Sequence, residues 1–278
     1  MMKKGMGIYV ILFSLAFLSP SVVAAEDGGG KPWERFSLNV GGFVATLNSD
    51  FRLGSDALGA GIDVSPEDAL GLDSSLFVFR ADALWRFTSN RRHRFELSYY
   101  DLRRASTKTL EADIQINDKI FSTGTTVDTL FDLQVIRAGY SYSLIQDDRI
   151  DLGISAGLYV MPIRIKISST TSGEIGDEGI TAPLPVAGLH FDFAITPKFF
   201  LKQSIDVFYF QYQNFQGGLL DTRVGVEYNI WKHFGVGVAY EYFRLQVKAE
   251  GQDYPNIDLV GKIQFNYGGI MLYGKLFF

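Results

Sequence analysis

The chain has 278 residues, 26 Lys and Arg against 31 Asp and Glu, a formal net charge of −5 and no cysteine. The acidic balance argues against nucleic acid as a partner, and the missing cysteine excludes disulfides and thiolate metal sites. Aromatics make up 14% of residues beside 29 Gly and only 8 Pro, a composition suited to long membrane strands and aromatic girdles.

The first stretch reads as a secretory signal. Lys3 and Lys4 precede an apolar run from Ile8 to Leu18, then Pro20 and the small residues up to Ala25. That order of charged, apolar and small segments predicts a signal peptide over residues 1–25 with cleavage after Ala25. The apolar run is short for a span of about 30 Å of hydrocarbon. Residues 26–33, rich in Gly, read as a flexible leader, and residues 34–278 as one β domain.

About ten segments of strict in-out alternation follow. The first covers about Phe36 to Phe51. The second, Leu76 to Thr88, sets Phe77, Phe79, Ala81, Ala83 and Trp85 against Arg80, Asp82 and Arg86. The third, Arg94 to Arg104, sets Phe95, Leu97 and Tyr99 against Arg94, Glu96 and Ser98. The fourth (about Val127 to Leu144) and fifth (Ile150 to Ile167) place Arg137 and Asp151 opposite aliphatic and Tyr positions. The sixth (about Leu184 to Ile195) puts His190 and Asp192 opposite Leu189, Phe191 and Phe193, and the seventh (Phe199 to Tyr212) puts Lys202, Ser204 and Asp206 opposite Ile205, Val207 and Tyr209. The eighth (Leu220 to Ile230) carries Arg223 and Glu227 on its polar face, and the ninth (Phe234 to Val247) carries Glu241. The tenth runs from about Leu259 to Phe278. Ile263, Phe265 and Tyr267 lie on the opposite parity from Phe278, so a bulge at Gly268–Gly269 is expected.

Connections alternate in length. Short turns fall at Ser89–His93, Gln146–Arg149, Thr196–Lys198 and Trp231–His233; longer ones at about Arg52–Ser75, Ala105–Thr126, Ser168–Pro183, Gln213–Leu219 and Lys248–Asp258. Short turns at one end and long loops at the other are the build of an outer-membrane barrel. The expected fold is therefore all-β: a transmembrane antiparallel up-and-down barrel of about ten strands, both ends of the domain on the short-turn side. Eight strands fit if two segments are loop hairpins, and twelve if Leu110 to Phe121 forms a strand pair in the wall. A soluble sandwich or lipocalin-like barrel would alternate too, with its apolar face inward.

The last stretch, GGIMLYGKLFF from Gly268 to Phe278, alternates Ile270, Leu272, Leu276 and Phe278 against Lys275. It resembles the carboxy-terminal signal of bacterial outer-membrane barrels, which implies Phe278 and Leu276 as an assembly signal and the barrel-assembly machinery as a partner. The whole of the expected mature chain, residues 26–278, is similar in architecture to the small outer-membrane barrel proteins, the OmpW-like and OmpA-barrel-like groups. That resemblance implies a place in the outer membrane, among its lipid and lipopolysaccharide, as a monomer.

With aromatic and aliphatic faces to lipid, the lumen receives Arg80, Arg86, Arg94, Arg137, Lys202, Arg223 and Lys275 together with Asp82, Glu96, Asp151, Asp192, Asp206, Glu227 and Glu241. Ions in a narrow interior must be paired, so this set reads first as a plug of salt bridges and second as a small polar conduit. His190 and Asp192 share a face and are the nearest approach to a general base and its orienting acid. Ser155 and Ser204 are lumen-facing but no motif singles them out, so the domain reads as non-enzymatic. Three scattered histidines predict no metal site, and no cofactor is expected. The function expected is structural or the passage of small solutes. The alternatives are a hydrophobic-ligand channel, with Leu184, Val186, Phe208, Phe210 and Tyr212 at an apolar mouth, and a lipid-modifying or proteolytic barrel enzyme. In the first long connection Ser65, Pro66, Glu67 and Asp68 have the order of an N-cap, a first helical proline and an acidic first turn, which predicts one helical turn there. Glu174, Asp177 and Glu178 among glycines predict a mobile acidic loop.

Overall fold

A computed structural model describes residues 32–54, 63–116, 119–212, 215–249 and 260–278. The expected signal peptide and most of the leader lie outside the described residues. The elements in chain order are β1 (Phe36–Gly54), β2 (Asp63–Val64), α1 (Pro66–Leu70), β3 (Ser75–Arg86), β4 (His93–Thr109), β5 (Ile114–Ile116), β6 (Lys119–Phe121), β7 (Thr126–Gln146), β8 (Ile150–Ser169), β9 (Ile175–Ala194), β10 (Phe199–Tyr212), β11 (Phe215–Asn229), β12 (Phe234–Ala249) and β13 (Val260–Phe277). Ten of them, β1, β3, β4 and β7 to β13, pair antiparallel with their chain neighbours, and β13 pairs back onto β1 from Ser37–Phe277 to Gly54–Val260. The sheet is thus a closed barrel, and closure leaves no free edge between first and last strands. Phe278 continues the seam: its carbonyl accepts from the Arg35 N–H at 2.7 Å, and its own N–H donates to Phe36 at 2.9 Å.

Alternation decides which way each strand faces. Phe77, Phe79 and Trp85 of β3 are exposed, while Val78, Arg80 and Arg86 between them are buried. The same holds round the wall, with Phe95, Leu97 and Tyr99 (β4), Leu189 (β9), Tyr209 (β10), Val224 and Tyr228 (β11), Tyr240 (β12) and Leu272 (β13) all exposed. A belt of Phe, Tyr, Trp, Leu and Val round the whole outside is the reverse of a soluble β fold, where such residues are the core. The soluble alternative therefore does not describe this chain.

Four readings of the sequence are corrected. The tenth strand carries no bulge: β13 runs in unbroken register with β1 and β12 through Gly268–Gly269, and Phe265 and Tyr267 are buried lumen residues on the parity of Lys275. Both faces of this strand are simply apolar over part of its length. Ser168–Pro183 is not a mobile loop, because β8 and β9 remain paired as far as Ser168–Ile175, with Arg164 and Asp177 bridged across the pair. The glycines and charges of that stretch hide a strand that has no apolar alternation left. Likewise β10 and β11 pair up to Tyr212–Phe215, so the connection after the seventh segment is shorter than expected. Leu110 to Phe121 adds no wall strands; β5 and β6 form a separate hairpin.

One ladder of the wall stops early. β9 and β10 pair from Phe200–Ala194 to Val207–Ala187. Above that, β9 pairs only with β8 and β10 only with β11.

Candidate functional site

The interior is built in layers, starting at the short-turn end. Trp33, expected in the flexible leader, is fully buried; its indole N–H donates to the Asp147 carbonyl at 2.7 Å and its ring meets Phe200. An indole that fills the barrel's end and finds an acceptor is held in place by both. Next to it, Glu34 receives Lys202 at 3.1 Å and Lys275 at 3.2 Å. Lys275 also reaches Glu227 at 2.7 Å, and Lys202 reaches it at 3.2 Å. Two carboxylates and two ammonium groups thus form a closed ring of contacts. The Tyr273 hydroxyl donates to Glu227 at 3.0 Å. Its ring has room because Gly41 and Gly237 are its partners on the two flanking strands; a Cβ would fall 2.6 Å from its backbone at Gly41 and 2.3 Å from its ring at Gly237.

The second layer centres on Arg86, Arg94 and Arg137. Arg86 reaches Asp151 at 3.1 Å and Asp192 at 3.7 Å. Arg94 reaches Asp192 at 3.2 Å, and its Nε lies 2.6 Å from Glu96 without the alignment of a hydrogen bond. Arg137 bridges Glu96 at 2.7 Å and Asp206 at 2.6 Å. The third layer holds Arg80 between Asp82, at 2.8 Å, and Glu241, with Arg223 on Asp82 at 2.9 Å. Tyr267 donates to Glu241 at 2.8 Å, and the Tyr100 and Tyr267 hydroxyls meet. A polar cavity of about 130 Å³ lies among these groups.

In the structure Arg80, Arg86, Arg94, Arg137, Asp151, His190, Asp192, Asp206, Glu227, Glu241 and Lys275 are buried, and Asp82, Glu96, Lys202 and Arg223 are partly buried in the ion pairs described above. The histidine pairing differs from expectation. His190 Nε2 is 3.4 Å from Asp151 on the adjacent strand, while Asp192 is taken by the arginines. Among the described residues no serine or threonine hydroxyl bonds the His190 ring, and Ser155 lies 3.4 Å from Asp206 instead. The arrangement holds no nucleophile beside a base. Among the described residues no His, Asp and Glu cluster has the geometry of a metal site.

Four features escaped the sequence. Glu34 stands before the first strand, so no alternation marks it. Asp221 shares the parity of Arg223 and Glu227, which was a usable signal; its carboxylate meets the Tyr159 hydroxyl at 2.7 Å, and no cation lies within ion-pair distance among the described residues. The interior above the ion pairs is apolar rather than charged: Phe43, Leu133, Phe131, Phe243 and Phe265 form one cluster with Tyr100 and Tyr267. Finally, Arg104, Glu67 and Ser49 make a polar clasp at the long-loop end. Arg104 reaches Glu67 at 2.5 Å, and Glu67 accepts from the Ser49 hydroxyl at 2.8 Å.

That clasp holds the expected helical turn. Ser65 caps α1 by accepting from the Asp68 N–H, Pro66 starts it, and Gly71 ends it at φ 69°, a left-handed cap that favours glycine. Leu70 and Leu72 of this segment, Leu110 before the β5–β6 hairpin and Phe121 at the end of β6 join the interior apolar cluster. The long-loop end is therefore stoppered from above. In the hairpin, Asp113 accepts from the Thr123 N–H at 2.7 Å and its hydroxyl at 2.9 Å, and these bonds hold its carboxyl below the usual range.

Ten antiparallel strands closed on themselves, aromatic outside and ion-paired inside, define the class: a β-barrel of the outer-membrane type. The chain belongs to the family described as "Protein of unknown function, DUF481", which matches residues 73–257. No curated protein matches it. Among solved structures it is similar to the outer-membrane protease OmpT of Escherichia coli, with a TM-score of 0.54 at 12% identity over 87% of this chain and 97% of that one. The translocator domain of the autotransporter NalP from Neisseria meningitidis gives 0.43 at 10% identity, over 84% and 88%. The attachment invasion locus protein Ail of Yersinia pestis gives 0.36 at 13% identity, over 86% and 97%. At such identities the likeness to OmpT is one of fold alone.

Proposed function

We propose that the chain is a monomeric protein of a Gram-negative-type outer membrane and that its barrel is a closed, non-conducting, non-enzymatic element of the envelope. The apolar belt meets outer-membrane lipid and lipopolysaccharide. The short-turn end, with both ends of the barrel domain, faces the periplasm, and the long-loop end faces outward. Phe278 and Leu276 serve as the signal read by the barrel-assembly machinery.

The observation that carries this reading is the stack inside the barrel. A solute entering from the short-turn end meets buried ion pairs, then an apolar aromatic layer, then the α1 stopper, and one entering from the long-loop end meets them in reverse; the cavity of about 130 Å³ among the ion pairs is on the scale of a few waters. Breaking a buried pair to admit an ion would strand its partner at a cost of about 3–5 kcal/mol. Between a structural and a small-solute role, the filled lumen favours the structural one. The test is conductance across a planar bilayer, with insertion verified by a gel mobility that shifts on boiling. The expected trace is flat; stable stepwise currents from the wild-type protein would show an open pore and overturn the reading.

A further inference from the structure

Where the β9–β10 ladder ends, the chain itself prevents its continuation. The Ile195 N–H donates to Phe199 of β10, while the Ala194 N–H donates to Arg149 on the β8 side. Backbone direction alternates along a strand, so every odd residue of β9 points its nitrogen at β10. Pro183 and Pro185 are odd. Continued in register, Pro185 would face Tyr209 and Pro183 would face Gln211, and neither proline has an N–H to give. Both prolines remain paired with Val160 and Leu158 of β8, whose side chains belong to the apolar belt. The unpaired stretch thus lies below the exposed Arg164–Asp177 ion pair, at the level of Leu158 and Val160, and not at the mouth.

The interior behind this seam is apolar. Leu184 and Val186 are buried members of the interior apolar cluster, and Phe208 packs against it partly buried. Leu219 faces Phe208 across the β10–β11 ladder and completes the lining. Among these lining residues, Leu184, Val186, Phe208 and Leu219, none carries a charge or a side-chain hydrogen-bonding group.

We infer that the β9–β10 seam is a lateral groove that takes the acyl chain of a lipid from the surrounding leaflet. The chain lies between Pro183–Pro185 and Phe208, and the lipid head stays at the level of Arg164 and Asp177. The membrane is the source because the unpaired stretch lies within the apolar belt, and in this the inference rests on the membrane placement proposed above. A hydrocarbon chain fits the side-chain lining of Leu184, Val186, Phe208 and Leu219 because it covers apolar surface.

The experiment places the photoreactive residue p-benzoylphenylalanine singly at Phe208, at outward Val207 and at buried Phe243 of the full chain, refolded into vesicles of acyl-radiolabelled phosphatidylethanolamine. Irradiation should label Val207 and Phe208 several-fold above Phe243, and the label should survive ester hydrolysis because it sits on the acyl chain. The double variant Pro183→Thr and Pro185→Val restores two N–H donors and should lower labelling at Phe208 while leaving Val207 unchanged. Labelling at Val207 with only background at Phe208 overturns the groove and leaves the membrane placement standing. Background at both overturns the membrane placement as well. Unchanged labelling of Phe208 in the proline variant overturns the role given to the prolines. Vesicles carrying radiolabelled free oleate among unlabelled phospholipid form the last arm, and labelling there alone would overturn the leaflet lipid as the source.

Discussion

Lys275 carries the tightest test of the ion-pair layers. Its ammonium lies between Glu34 and Glu227 at 3.2 and 2.7 Å, with its side chain 1% exposed. Lys275→Met keeps the stem and removes the charge, leaving two carboxylates to share Lys202. The expected loss is about 3–5 kcal/mol in denaturant unfolding from lipid vesicles. Adding Glu227→Gln should recover part of it, because the surplus charge is then gone; a Lys275→Met protein as stable as wild type would contradict the pairing. On the opposite face the sign of the argument reverses. Ala83 shares the outward parity of Phe79 and Trp85, so Ala83→Arg should destabilise by roughly 2–4 kcal/mol if it lies near the membrane midplane. Arg80→Ala should destabilise as well, by stranding Glu241 and leaving Asp82 to Arg223 alone. A neutral Ala83→Arg beside a stabilising Arg80→Leu would mean that the faces are reversed.

Among the elements, the β5–β6 hairpin adds a pH dependence of its own. Free Asp titrates at about 3.9. Asp113 is held lower in the folded hairpin by Thr123, so its contribution is present above that value and is lost as pH falls through the folded one. Corrected for the intrinsic pH dependence of exchange, amide protection in residues 110–116 and 119–125 should fall selectively as pH drops through the folded value, and Asp113→Asn should flatten that fall. At the other end, Phe278 closes the β1–β13 seam through its backbone and leaves its ring exposed. Deleting it, or Phe278→Ser, should lower the yield of assembled barrel without lowering export; undiminished assembly would show that the terminal aromatic is not read.

What the sequence conveyed at this scale follows from side-chain direction. Wherever charges and aromatics alternate, as in β3, β4 and β10, parity alone assigns the faces, because a slip of one residue would bury a belt and expose a plug. Where both faces are apolar, as at Phe265 and Tyr267, parity is silent, and a bulge was the wrong way to reconcile it. Upper β9 reads as a loop since its glycines and charges leave nothing to alternate. Partners were beyond reach for another reason. Arg80 finds Glu241 from 161 positions away, and only the closure of the barrel sets that register.

For the molecule as a whole, the central claim is that a barrel stands in lipid with its aromatic surface outward and its charged surface inward. The helical stopper, the ion-pair layers and the seam take their meaning from that orientation. Quenching of tryptophan emission by lipids brominated along the acyl chain reads it directly. Two single-tryptophan proteins are needed, both with Trp85→Phe and Trp231→Phe. One retains Trp33, fully buried at the short-turn end; the other has Trp33→Phe and Phe79→Trp, at a position 56% exposed on the outer wall. In brominated vesicles the tryptophan at 79 should lose most of its emission while Trp33 keeps most of its own. Strong quenching of Trp33 with none at 79 would contradict the account.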